Sequence, residues 1–303
     1  MSSGTDSRPT LRQLEYLVAV ADEGHIGRAA ESCHVAQPSL SAQLKQLEHS
    51  VGTVVIERIG RGIQLTPAGR DLAERARRVL RDTDDLVALG RQSATQLRGR
   101  LRIAAIPTVA PYLLPRFVPL LRELHSEAET HLREMQTPAL VPALARGEID
   151  LGLMALPVED ESLDHVNVLD DPFELALAPQ HVFAGVEDVP VDELVGEAVL
   201  LLEDGHCLRD QALEICSRVG AEEAGEIQAT SLSTLCQMVA AGMGVTLLPR
   251  SARSVEARDG TGIVVRPFRG EPPTRQLVLT WRRRSPAAAL YRELGETLRD
   301  ALD

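Results

Sequence analysis

The chain has 303 residues, enough for two or three folded units rather than one. Hydrophobic residues make up 44% and charged residues 25%, the balance of an ordinary globular protein, and no apolar run approaches the roughly 18 residues that a membrane span needs. A formal net charge of −12 would exclude a polyanionic partner if it were spread evenly, but it is not: residues 1–98 hold 13 Lys/Arg against 12 Asp/Glu, and residues 99–303 hold 19 against 32.

The first ten residues are polar and contain no signal-peptide core, so the expected location is the cytoplasm. There Cys33, Cys207, Cys216 and Cys236 sit in a reducing compartment, with no CxxC pair among them. A structural disulfide framework and a metal site are therefore not expected, and no motif calls for a cofactor.

Leu11–Glu23 reads as a first helix, with Leu14, Leu17, Val18 and Ala21 at helical spacing. Ala29, Ala30 and Cys33 mark a short second helix, and His34-Val35-Ala36 forms a tight turn. Gln37-Pro38-Ser39 opens a third helix, because proline at the first helical position loses only an N–H that would be unbonded there. Leu40, Leu44 and Leu47 form its inward stripe and leave Ser39, Ser41, Gln43, Lys45 and Gln46 facing outward. Two short helices, a three-residue turn and a polar outer face on the second of them make a helix-turn-helix.

Val54–Arg58, Gly60-Arg61-Gly62 and Ile63–Leu65 read as a β-hairpin wing. Within Ile26–Arg70 five basic residues, Arg28, Lys45, Arg58, Arg61 and Arg70, stand against three acidic ones. That is enough for a face contacting DNA phosphates, with Gln37, Pro38, Ser39, Ser41, Gln43, Lys45, Arg58 and Arg61 as its candidate residues. Thr66-Pro67 then opens a long helix from about Ala68 to Gln96. Its apolar positions Leu72, Ala76, Val79, Leu80, Thr83, Leu86 and Val87 form a single stripe without a core of its own, which predicts a partner helix and a dimer.

From Leu101 onward strands and helices alternate in two series, which predicts an α/β region with a mostly parallel sheet in two subdomains around a cleft. The expected boundaries are 1–67 for the winged helix-turn-helix, 68–97 for the linker helix and 98–303 for an effector region. Within that region one subdomain takes about 98–170 plus 276–303, and the other takes 171–275. Ligands of such folds sit beyond the carboxyl ends of strands, at helix N-termini, where Thr108, Thr137 and Cys207 all fall. Thr108 and Thr137 can equally be read as plain helix caps.

Residues 11–69 closely resemble the DNA-binding domain of LysR-type regulators, through Leu14-Glu15-Tyr16-Leu17, Arg28-Ala29-Ala30, Gln37-Pro38-Ser39-Leu40-Ser41, Leu47-Glu48, Glu57-Arg58 and Leu65-Thr66-Pro67-Ala68-Gly69. The resemblance covers essentially the whole chain and implies an effector domain of periplasmic-binding-protein type. Ile26 departs from the pattern, since the family usually has an aromatic residue there. A narrower likeness points to the peroxide-sensing branch of that family. It runs through Leu202-Glu203-Asp204-Gly205-His206-Cys207-Leu208-Arg209-Asp210-Gln211-Ala212, with Cys216 following, and through Ile106–Pro115 and Ala229-Thr230-Ser231-Leu232.

That likeness implies that Cys207 reacts with peroxide and that Cys216 is its disulfide partner. It also implies that Thr108, Thr137 and His206 help place the peroxide, with Arg275 matching an arginine near the cysteine. Arg209 and Asp210 join them as neighbours of Cys207. The partners it implies are double-stranded promoter DNA, hydrogen peroxide and RNA polymerase, in a homo-oligomer built as a dimer of dimers. The protein would be a regulator and not an enzyme.

Read without the resemblance, Cys207 is either a small buried thiol or a reactive one. A helix start and the neighbours His206 and Arg209 favour thiolate, while Glu203, Asp204 and Asp210 oppose it. If residues 208–218 are helical, Leu208, Ala212, Ile215, Cys216 and Val219 share one apolar face and Cys216 is buried. Nine residues of helix span about 13–14 Å, whereas a disulfide needs Cα atoms within roughly 7 Å. The two thiols then cannot bond while the helix exists. Cys33 reads as a core residue, and Cys236 as a core or subunit-contact residue that, as an extra thiol, could compete in oxidation. The competing functions are a regulator of the same build whose cleft binds a metabolite, and a thiol peroxidase with an appended DNA-binding domain.

Overall fold

The computed structural model describes residues 8–59, 62–91, 96–221 and 223–302. The wing tip Gly60-Arg61 and residues 92–95 lie outside that range, and Gln96 is no longer helical. The chain forms two compact units that divide between Arg91 and Gln92.

The first unit contains α1 (Leu11–Glu23), α2 (Ile26–Ser32), α3 (Gln37–Val51), the antiparallel hairpin β1 (Ile56–Ile59) and β2 (Gly62–Leu65), and α4 (Pro67–Arg91). A capping box starts α1: Thr10 Oγ1 accepts from Gln13 N at 3.3 Å, and Gln13 Oε1 accepts from Thr10 N at 3.0 Å. His25 Nδ1 accepts from Gly27 N at 3.0 Å and so caps α2. His34 turns the chain with a left-handed backbone, φ 54°. Leu40, Leu44 and Leu47 of α3 are buried with Tyr16, Leu17 and Val20 of α1, each full burial stabilising by roughly 1.5–3 kcal/mol.

The Leu65–Gly69 motif has a geometric reason. Thr66 Oγ1 donates to Val54 O at 2.8 Å and accepts from Gly69 N at 2.9 Å, so one hydroxyl joins the hairpin to the helix start. Gly69 lies so close to Val55 that a Cβ would meet the Val55 carbonyl oxygen at 2.1 Å. Along α4 the apolar stripe divides. Leu72, Ala73 and Ala76 pack into the unit's own core, whereas Val79, Leu86 and Val87 are 45%, 70% and 44% exposed.

The second unit begins with β3 (Gly99–Ala105), α5 (Ala110–Leu124), β4 (Ala128–Glu134), α6 (Thr137–Ala145), β5 (Leu151–Ala155) and the long β6 (Leu163–Leu177). After two single-turn helices come β7 (Val199–Leu202), α7 (Cys207–Val219), β8 (Glu223–Ala229), α8 (Leu232–Ala240) and β9 (Thr246–Pro249). The chain closes with α9 (Arg250–Glu256), β10 (Val264–Pro267), β11 (Thr274–Arg282) and α10 (Ala288–Leu302). Among these, α9 and β10 carry too few residues for a period to show in the sequence.

Two sheets share β6. Its first part pairs with β11, which continues to β5, β3 and β4, and its last residues pair with β10 and β9. The β7–β8 pair joins the second sheet through a bridge between Val199 and Val245. The sheets are mixed rather than mostly parallel. β3 runs parallel to β4 and β5, and β7 to β8, but β6 and β11 cross between the subdomains and meet their neighbours antiparallel. These crossings put residues of distant sequence side by side at the junction of the subdomains.

Candidate functional site

In the first unit, Gln37, Pro38, Ser39 and Lys45 are exposed on α3, and Ser41 and Gln43 are half-buried. Gln43 Oε1 accepts from Gln13 Nε2 at 3.1 Å, which ties the flank of α3 to α1. Arg58 lies on β1 opposite Ile63, next to the tip. Arg61 lies outside the described residues.

In the second unit, Cys207 is the first residue of α7, and His206 is its N-cap residue. Gly205, with φ 92°, turns the chain into the helix, and a Cβ there would meet Gln136 Oε1 at 2.8 Å. His206 is buried, with Nε2 3.1 Å from Gln136 Nε2. Burial lowers its pKa, against the opposing influence of Glu203 and the Thr230 backbone, so the ring is neutral at pH 7. The nearby cation that acts on Cys207 is therefore not His206 but Arg275, from the far end of the chain.

Burial pushes the Cys207 thiol pKa up from its ordinary value; the Arg275 charge and the Thr137 hydroxyl pull it down, Asp210 pushes it up, and the Leu208 backbone pulls it down. Thr137 is the first residue of α6 rather than its cap, a position taken by Gln136. Its Oγ1 is buried with no well-formed hydrogen bond among the described residues, and it lies near enough to the thiol to lower its pKa. Thr108 does not cap α5 either. Val109 holds that position, and Thr108 Oγ1 instead accepts from Arg275 Nη1 at 3.2 Å.

Arg275 and its partner Asp171 are essentially unexposed and form a buried ion pair at 2.9 Å. Arg209 lies outside this constellation: its Nη1 donates to Leu202 O at 3.0 Å and its Nε pairs with Asp204 at 2.9 Å. Asp210 is exposed. The structure thus brings Cys207, Thr137, Thr108, Arg275 and His206 together. Sequence reasoning missed Gln136, Asp171, Ser251 and Gln211. Gln211 Nε2 donates to Leu156 O at 3.0 Å, leaving Oε1 buried without a partner. A residue one turn after Cys207 is the signal that could have found Gln211; Asp171 and Ser251 carry no local signal.

Cys216 is buried on the apolar face of α7 with Leu208, Ala212 and Ile215, and all four cysteines are thiols. Cys236 is fully buried in α8, where burial and the Glu256 charge push its pKa up to about 12. Cys33 packs half-buried against the core of the first unit. Among the described residues no group of three His, Cys, Asp or Glu could hold a metal ion, and no helix is long and apolar enough to cross a membrane.

Residues 11–70 match the bacterial regulatory helix-turn-helix proteins of the lysR family, and residues 94–303 match the LysR substrate binding domain. The chain belongs to the LysR family of transcriptional regulators. It is 43% identical over 293 residues to the DNA-binding transcriptional dual regulator OxyR of Escherichia coli K12, covering 97% of this chain and 96% of that one. Full-length OxyR from Pseudomonas aeruginosa has a similar fold, with TM-score 0.79 and 33% identity over 97% of this chain and 95% of its own. A Corynebacterium glutamicum OxyR variant bound to hydrogen peroxide is 34% identical with TM-score 0.68, covering 98% and 94%.

The LysR helix-turn-helix is the DNA-binding element, and the chain is a transcription regulator rather than an enzyme.

Proposed function

We propose that this LysR regulator senses hydrogen peroxide through Cys207 and Cys216. One observation carries the reading: both thiols lie on one helix, the first in a polar pocket and the second nine positions on in the apolar core. The Cys207 sulfur attacks one peroxide oxygen, an S–O bond forms as the O–O bond breaks, and the departing hydroxide takes the thiol proton as water. Cys216 then attacks the sulfenic sulfur, an S–S bond forms and a second water leaves. Thr137, Thr108, His206 and Arg275 surround the reacting atoms, with Arg209 and Asp210 bracing the start of the helix. Because the helical separation is about 13–14 Å, the disulfide traps an unwound α7 and so converts oxidation into a change of shape.

Promoter DNA is read by Gln37, Pro38, Ser39, Ser41, Gln43 and Lys45, with Arg58 and Arg61 on the backbone, in the cytoplasm. The exposed Val79–Val87 stripe of α4 joins two copies, two such dimers form the tetramer, and the DNA-bound form engages RNA polymerase. Titration of thiols before and after one equivalent of hydrogen peroxide tests the sensing reading. Loss of two thiols per chain, with no further consumption of peroxide, is expected. Unchanged thiols would favour a metabolite in the cleft, and continued turnover would favour a peroxidase.

A further inference from the structure

Arg275 and Asp171 stand directly opposite each other in the β11–β6 ladder, and neither reaches solvent. The carboxylate accepts three hydrogen bonds and makes one further ion-pair contact. Asp171 Oδ2 accepts from Arg275 Nε at 3.0 Å and from Ser251 Oγ at 2.7 Å, with Arg275 Nη2 in ion-pair contact at 2.9 Å, and Oδ1 accepts from Ser251 N at 2.8 Å. Both of its oxygens are engaged, and α9 anchors it through Ser251.

The guanidinium is correspondingly divided. Its Nε and Nη2 edge belongs to Asp171, and Nη2 also donates to Thr108 O at 3.1 Å. Nη1 donates to Thr108 Oγ1 at 3.2 Å, and its second N–H has no partner among the described residues. A planar fork clamped along one edge presents the other edge in a fixed direction.

We propose that Asp171 is a positioning residue for the oxidation of Cys207: by clamping the Nε/Nη2 edge of Arg275, it aims Nη1 and the Thr108 hydroxyl at the peroxide. This rests on the peroxide-sensing reading of the pocket. In the step concerned, sulfur bonds to one oxygen while the O–O bond breaks. The aimed Nη1–H meets the charge on the departing oxygen until that oxygen takes the thiol proton and leaves as water. Asp171 also moderates Arg275: with its counter-charge gone, the guanidinium acts more strongly on the thiol.

The test uses the full chain with Cys216→Ser, so that only the first step is read, following sulfenic acid at Cys207 by stopped flow and intact mass across pH. Asp171→Asn keeps the shape and removes the charge. Peroxide oxidation is expected to slow 10- to 100-fold at pH 7, while the thiol titrates at lower pH, as read by alkylation with a neutral reagent. In an Arg275→Gln background, Asp171→Asn should change neither quantity, because its effect passes through Arg275. Ser251→Ala, which removes one of the three hydrogen-bond donors, should slow oxidation 2- to 5-fold and covers the case in which Asp171→Asn does not fold.

An oxidation rate within 2-fold of the parent in both variants would overturn the proposal. So would an equal loss from Asp171→Asn in the presence and absence of Arg275, the pattern of a merely structural role. If the Cys216→Ser parent itself forms no sulfenic acid at Cys207, the peroxide reading fails, and this proposal with it.

Discussion

Gln136 Nε2 lies 3.1 Å from His206 Nε2, and this contact ties the start of α6 to the residue that caps α7. It joins the two subdomains one residue away from the Cys207 thiol. Gln136→Ala should remove the tie and leave the buried His206 imidazole short of a partner. Amide exchange in 207–212 should then speed up in the reduced protein, and disulfide formation should follow sulfenic acid formation more quickly. Unchanged exchange would show that α7 is held by its apolar face alone.

A pH dependence follows from the same ring. Burial lowers the folded pKa of His206 below its ordinary value, so the stability that the neutral ring contributes is fully present above about pH 6.5. It is lost as pH falls from there through the folded value, because the unfolded chain takes up the proton first. His125 has the same sign. Thermal unfolding of the effector domain should shift downward between pH 7 and 5, and His206→Asn should flatten that slope. A slope identical to the parent's would place the acid sensitivity elsewhere.

On the DNA side, Lys45→Ala or Arg58→Ala should weaken binding to all sequences and flatten its salt dependence, the mark of phosphate contacts. Gln37→Ala or Ser39→Ala should alter sequence preference instead, because the start of the recognition helix lies nearest the base edges. Gel shifts at several salt concentrations separate the two effects. Gln43→Ala should also loosen α3, since Gln43 accepts from Gln13.

The divided stripe of α4 changes which substitutions test self-association. Leu72 belongs to the core of the DNA-binding unit, so a charge there would unfold the domain rather than separate subunits. Val79→Asp with Leu86→Asp places charges only where the helix is exposed. Light scattering should show a smaller species with weakened DNA binding and an unchanged far-ultraviolet spectrum. An unchanged mass would move the contact to the effector domain.

The helices were legible in the sequence wherever one apolar face sets a period. The Leu40, Leu44, Leu47 stripe and the α7 face carrying Cys216 are as the spacing predicts. The caps were less legible: Thr108 and Thr137 read as capping residues, but the helices begin at Ala110 and Thr137, and Arg275 uses the Thr108 hydroxyl. Asp171, Ser251 and Gln136 escaped because they reach the pocket through strand register and the junction of subdomains, which no local pattern encodes. The same limit applies to the positive charge at Cys207, for which only the family resemblance pointed to Arg275. The local pattern offered the neighbours His206 and Arg209, whereas the sheet brings in Arg275.

The most direct test of the central claim is disulfide mapping of the full chain after one equivalent of hydrogen peroxide, with amide exchange followed across 208–219 in the same sample. Cys207 and Cys216 cannot bond across intact α7, so the account predicts a 207–216 linkage together with a loss of protection over that segment. Cys236 should remain a thiol, since it is fully buried and its pKa is pushed up to about 12. A Cys207–Cys236 linkage, or a 207–216 linkage with α7 still protected, would contradict it.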